Sequence, residues 1–138
     1  MDGSERYEQL IAFISSQLPK PVEARDGGEG DIIFTGGEPS EVIVQLTKSS
    51  VLIAEYAAVW DASRTLRSKL RPIGDICWPN LGETALMNAV SALIKGAREA
   101  RLAKYVVCAE CGTRTAPEHM STDDVCRSCD GPSRGTVH

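Results

Sequence analysis

Val51-Leu52-Ile53-Ala54-Glu55-Tyr56-Ala57-Ala58-Val59-Trp60 is the stretch on which the fold turns. β-Branched or aromatic residues stand at 51, 53, 56, 59 and 60, which suits a strand apolar on both faces. A helical reading competes, since Leu52, Tyr56, Val59, Ser63, Leu66 and Leu70 recur at helical spacing and Ala-Glu-Tyr-Ala-Ala is helix-friendly. The preceding segment decides for the strand. Glu41–Leu46 alternates Val42, Val44 and Leu46 on one face, and only Thr47-Lys48-Ser49-Ser50 separates it from Val51. Two strands joined by so short a polar link form an antiparallel pair.

Working outward toward the N-terminus, Val22–Arg25 and Ile32–Phe34 flank the turn-rich Asp26-Gly27-Gly28-Glu29-Gly30-Asp31, the pattern of a hairpin. The glycines do not make a phosphate loop, because no Lys-Ser/Thr follows and acidic side chains would repel phosphate. Residues 4–18 carry Tyr7, Leu10, Ile11, Ile14 and Leu18 on one face, so an amphipathic helix is predicted, ended by Lys20-Pro21.

Toward the C-terminus, residues 61–71 read as a basic connector and Pro72–Trp78 as a short strand with the proline at its start. Cys77, between Ile76 and Trp78, is expected to pack in the core. Asn80-Leu81-Gly82-Glu83 has the form of a capping box. The helix it opens is predicted to run to about Lys104 and to bury Leu86, Val90, Leu93, Ala97 and Ala100. The fold class implied is α+β: a helix, a mostly antiparallel sheet of about four or five strands, and a long second helix.

Composition narrows the function. The 138 residues include 42% hydrophobic ones, enough for a core, and no apolar run approaches the roughly 18 residues that span a bilayer. The polar start Met1-Asp2-Gly3-Ser4-Glu5-Arg6 lacks the pattern of a secretory signal, so a cytoplasmic location and no membrane partner are expected. Net charge is −4, unevenly spread: residues 1–60 hold ten acids and four bases, residues 61–107 four acids and eight bases. The basic surface of a nucleic-acid binder is therefore restricted to Arg64, Arg67, Lys69 and Arg71, with Lys95, Arg98, Arg101 and Lys104 on the second helix. Positive charge at a helix C-terminus also complements its dipole.

The chemistry concentrates in Cys108-Ala-Glu-Cys111 and Cys126-Arg-Ser-Cys129, two Cys-x-x-Cys pairs separated by fourteen residues. Paired thiolates at this spacing suit a tetrahedral Zn²⁺ site, predicted here as one structural ion per chain. A redox pair of disulfides is the alternative, and a reducing compartment disfavours it. Gly112 lets the chain turn after Cys111, and Gly131, Pro132 and Gly135 argue against a helix after the last pair.

Residues 105–131 resemble Cys₄ zinc-ribbon or rubredoxin-like zinc-knuckle modules on Cys108, Cys111, Gly112, Cys126 and Cys129. The resemblance implies a metal and a style of fold, and leaves the function open. It divides the chain into an α+β domain over 1–104 and a metal-bound module over 105–138. Many ribbons that bind nucleic acid present basic and aromatic residues, whereas this one offers Arg114 and Arg127 against Glu110, Glu118, Asp123, Asp124 and Asp130. His119 and His138 are the two histidines, and neither a Ser/His/Asp set nor His-Glu-x-x-His occurs. The expectation is a non-enzymatic protein that interacts with another protein or regulates it; nucleic-acid binding through 64–71 and 95–104 is the alternative.

Overall fold

A computed structural model describes residues 3–130. The order of elements is α1 (Gly3–Gln17), β1 (Val22–Gly28), β2 (Asp31–Gly36), β3 (Val42–Leu46), β4 (Val51–Trp60), β5 (Leu66–Ile76) and α2 (Glu83–Leu102). Two short strands follow, β6 (Val106–Val107) and β7 (Arg114–Thr115), and then a single turn of helix, α3 (Arg127–Asp130). The class is α+β, and Val51–Trp60 is a strand. No described helix is long and apolar enough to cross a membrane.

The chain divides into two compact units. The first holds the residues up to Ala57 together with Ser68–Arg101; the second holds Ala58–Arg67 and the residues from Leu102 onward.

In the first unit the strands lie in sequence order, β1-β2-β3-β4-β5. Pairing is antiparallel with Phe34 opposite Val44 and Val44 opposite Ile53, which places their side chains on one face. That face carries the core. Phe34, Val42, Val44, Leu46, Val51 and Ile53 pack with Leu10, Ile14 and Leu18 of α1 and Leu86, Val90, Ile94 and Ala97 of α2. Each large aliphatic side chain so buried contributes about 1.5–3 kcal/mol before chain entropy is counted. Gly74 allows α2 to lie close on β5, since a Cβ there would stand 2.7 Å from Leu93 Cδ1. Trp78 closes the end of the core, its indole N–H donating to the Thr47 carbonyl at 2.9 Å.

Four local expectations change. Residues 61–71 are mostly strand, because β5 begins at Leu66, and Pro72 lies within it. An edge position tolerates both the missing donor of Pro72 and the exposed charges of Lys69 and Arg71. Cys77 is exposed, since a 3₁₀ turn at Trp78–Asn80 gives the core position to Trp78. The Asn80 amide donates to Cys77 Sγ instead of capping α2, whose first backbone bond runs from Leu86 N–H to the Gly82 carbonyl.

The buried stripe of α2 is Leu86, Val90, Ile94, Ala97 and Arg101, rotated from the predicted one at Leu93 and Ala100. Arg101 is only 2% exposed. Its Nε donates to the Ser40 carbonyl at 3.0 Å and its guanidinium lies 5.1 Å from the Tyr56 ring centre. Arg98 pairs with Glu41 at 2.6 Å. These two cations of α2 serve the fold of the first unit.

The second unit begins at the tip of the β4–β5 hairpin. Asp61 organises it: its carboxylate accepts the Ser63 and Thr65 amides at 2.9 and 3.0 Å and pairs with Arg67. The Ser63 hydroxyl, Arg67 and the Thr65 amide hold the Asp61 carboxyl down at about 2, below its usual 3.8. A depressed folded-state pKa stabilises above the unfolded value and is lost as pH falls through the folded one. The turn is therefore expected to loosen as pH drops from 3.8 toward 2, with the Ser63 and Thr65 amide NMR shifts titrating together at about 2. A midpoint at the ordinary value would remove this role for Asp61.

Candidate metal centre

The first cysteine pair sits in the turn of one small hairpin, and the second pair begins at the closing residue of another and ends in α3. In the first, Val106 pairs with Thr115 and Val107 with Arg114, so the chain reverses across Cys108–Thr113. Cys108 N–H donates to the Thr113 carbonyl at 3.0 Å, and Gly112 N–H to the Cys108 carbonyl at 2.9 Å. Gly112 takes φ +75°, a left-handed conformation that a side chain would disfavour. The turn thus depends on glycine one residue after the second cysteine.

In the second hairpin Met120 bridges to Cys126, and Ser121 N–H donates to the Val125 carbonyl at 2.8 Å. The single turn of α3 then returns Cys129, whose N–H donates to the Cys126 carbonyl at 3.1 Å. A bond from Ala109 N–H to the Asp124 carbonyl, 2.7 Å, stitches the two hairpins together. The predicted absence of a helix after the last pair concerns residues 131–138, which lie outside the described residues.

This backbone brings all four predicted ligands together. One sulfur from each of Cys108, Cys111, Cys126 and Cys129 lies within 4.8 Å of the others. Cys108 and Cys129 are 3.7 Å apart at sulfur, Cys111 and Cys126 3.8 Å. A disulfide would require about 2.05 Å. A tetrahedron with metal–sulfur bonds of about 2.3 Å has edges of about 3.8 Å. The two separations match such edges, so the four sulfurs are placed to hold a metal ion, and all four cysteines are free.

Electrostatics favour the same fit. The amides of Cys111 and Cys126 point at Cys108 Sγ from 3.5 and 3.4 Å, and they hold its pKa down at about 6. The hydroxyl and amide of Thr113 lower that of Cys111. Cys129 moves the other way, raised by its hydrogen bond with Cys126, by burial and by the neighbouring sulfurs. Four thiolates so close repel one another, and a cation at their centre relieves the repulsion.

His119 stays apart from the four-cysteine cluster; it is exposed at the end of a 3₁₀ turn, 4.0 Å from the Glu118 carboxylate. Two basic residues are engaged by the fold of this unit. Arg114 donates to the Leu102 carbonyl, and the Arg127 guanidinium lies 4.5 Å from the ring centre of Trp60.

Trp60 is the participant that sequence reasoning missed. From the hairpin tip its indole N–H donates to the Glu118 carbonyl at 2.9 Å, across 58 positions of sequence. Its only trace in the sequence is a large aromatic residue at a strand end, beside the turn-forming Asp61. No protein-family model matches the chain, and neither curated proteins nor solved structures return a match.

Proposed function

We propose that Cys108, Cys111, Cys126 and Cys129 hold one Zn²⁺ per chain as a structural ion, in a non-enzymatic protein that engages another protein. The observation that carries the metal reading is the pair of sulfur separations, 3.7 and 3.8 Å, in a set of four converging cysteines. Four thiolates fill a tetrahedral shell and leave no position for a substrate, which favours a structural over a catalytic ion. Soft thiolate ligands at tetrahedral spacing suit zinc, and iron is the competing ion.

Protein purified without added metal is expected to carry about one zinc per chain by elemental analysis and to be colourless. A stoichiometry near zero after purification without chelators would overturn the metal reading, and a coloured iron-loaded protein would overturn zinc. The basic residues of 64–71 and 95–104 lend less support to a nucleic-acid partner, since Arg67, Arg98 and Arg101 among them are engaged within their own unit. A partner protein accords better with the concave sheet face described next.

A further inference from the structure

The first unit has a second face. Both helices contribute to the core on the face of Phe34, Val44 and Ile53, so residues of opposite parity along the strands point away from them. Register aligns Arg25 with Ile33, Thr35 with Ile43, and Ile43 with Ala54 on that other face. Ile43 and Ala54 are nonetheless 8% and 1% exposed. The cause is curvature. Residues of both edge strands, Arg25 of β1 and Ser68 of β5, line one cavity of about 560 Å³, with Ile33, Ile43 and Tyr56 also in its wall. A recess of about 90 Å³ shares Arg25, Ile33, Ile43 and Ser68 and adds Lys69 and Leu70.

The chemistry of this trough is asymmetric. The larger cavity is lined by Ile33, Ile43 and Tyr56 together with Glu23, Thr35 and Ser40, whereas the recess holds no acid and has two exposed cations, Arg25 and Lys69, in its lining. Neither has an ion-pair partner among the described residues. A concavity that combines apolar side chains with a few converging polar and charged groups is the usual form of a binding site. An anionic group would sit between Arg25 and Lys69, at the recess and away from Glu23, while aliphatic side chains cover Ile33 and Ile43. The trough crosses all the strands, and its rim at Arg25, Ser68, Lys69 and Leu70 is exposed, which suits a chain laid across it.

We propose that this trough receives an extended segment of a partner protein, in which an acidic residue stands beside β-branched or aliphatic ones. The proposal rests on the reading of the protein as an interaction module, and every residue it uses lies in the first unit, so it is separable from the metal.

The test is selection of a phage-displayed library of random nonapeptides against the full-length, metal-loaded protein. Asp or Glu beside Val, Ile or Leu should be enriched. A synthetic peptide of the selected consensus should bind, by fluorescence anisotropy, at least tenfold more weakly to the R25E/K69E double variant, and more weakly as salt rises. Both positions are exposed, so the variant should keep its far-UV circular dichroism. Failure to enrich any acidic consensus, or equal binding by the double variant, overturns the proposal. So does a wild-type dimer in sedimentation that the double variant dissolves, because the occupant would then be a second copy. Elemental analysis of the same sample separates this result from the metal reading: zinc present with no peptide bound removes the trough alone.

Discussion

Removal of the metal, by a strong chelator or by Cys108→Ser, is expected to unfold the second unit and leave the first one standing. The contrast follows from where apolar side chains are buried. All fourteen buried residues of the hydrophobic core cluster belong to the first unit. Among the described residues of the second, the buried hydrophobic ones are Cys108, Ala116 and Cys126. Two of those three are sulfur donors, so what replaces a core there is the cluster itself. Structural zinc bound to small domains supplies on the order of 10–16 kcal/mol of apparent free energy, all of it coupled to folding. Cys108 is the severest single change, because its sulfur is buried and accepts two amide bonds.

The expected readout is hydrogen exchange. Amides of Tyr105–Asp130 should lose protection, while those of β2, β3, β4 up to Ala57 and the middle of α2 keep theirs. Far-UV circular dichroism should change little, because the second unit contributes only short strands and one helical turn. Identical exchange and identical thermal unfolding with and without chelator would contradict a metal-held unit.

Trp60→Ala is expected to weaken the second unit by about 2 kcal/mol. The indole contributes a hydrogen bond to the Glu118 carbonyl and a face for the Arg127 guanidinium, each worth on the order of 1 kcal/mol. Since each 1.4 kcal/mol is a factor of ten, metal affinity should fall roughly tenfold or more through linkage to folding. Competition with a chromophoric chelator measures this directly. Trp60→Phe should recover part of the loss, keeping a ring for Arg127 and no N–H for Glu118. In the converse experiment, chelation should expose the hairpin tip, with Asp61–Thr65 exchanging faster even though no ligand lies within forty residues of them in sequence. Unchanged affinity in Trp60→Ala would separate the tip from the metal centre.

These two expectations mark how far the sequence was legible. Short-range patterns carried their information well. The alternation through Val42–Leu46 and its short link to Val51 indicated paired strands, and the hairpin around Gly28 followed from its turn residues. Cysteine spacing located the four-sulfur cluster because a knuckle is a local motif. What escaped depended on partners distant in sequence. Arg101 looked like a solvated helix-end cation, yet its position on the buried stripe and the carbonyl of Ser40 gave it an interior place. Leu66–Arg71 looked like a connector because an edge strand that is largely exposed has no apolar alternation to betray it. Cys77 lost its core position to Trp78 through a 3₁₀ turn. The helix-free face of the sheet could not be read at all, since its concavity arises from the curl of strands far apart in the chain.

The second unit draws ten residues, Ala58–Arg67, from the middle of the polypeptide and the remainder from its end. A module assembled from separated pieces cannot be transplanted by a single splice. Proteolytic loss of everything after Lys104 would orphan Trp60, and grafting the cysteine-bearing end onto another scaffold would leave Glu118 and Arg127 without their indole. Any exchange that moved the cysteine cluster with its indole support would have to carry both pieces together.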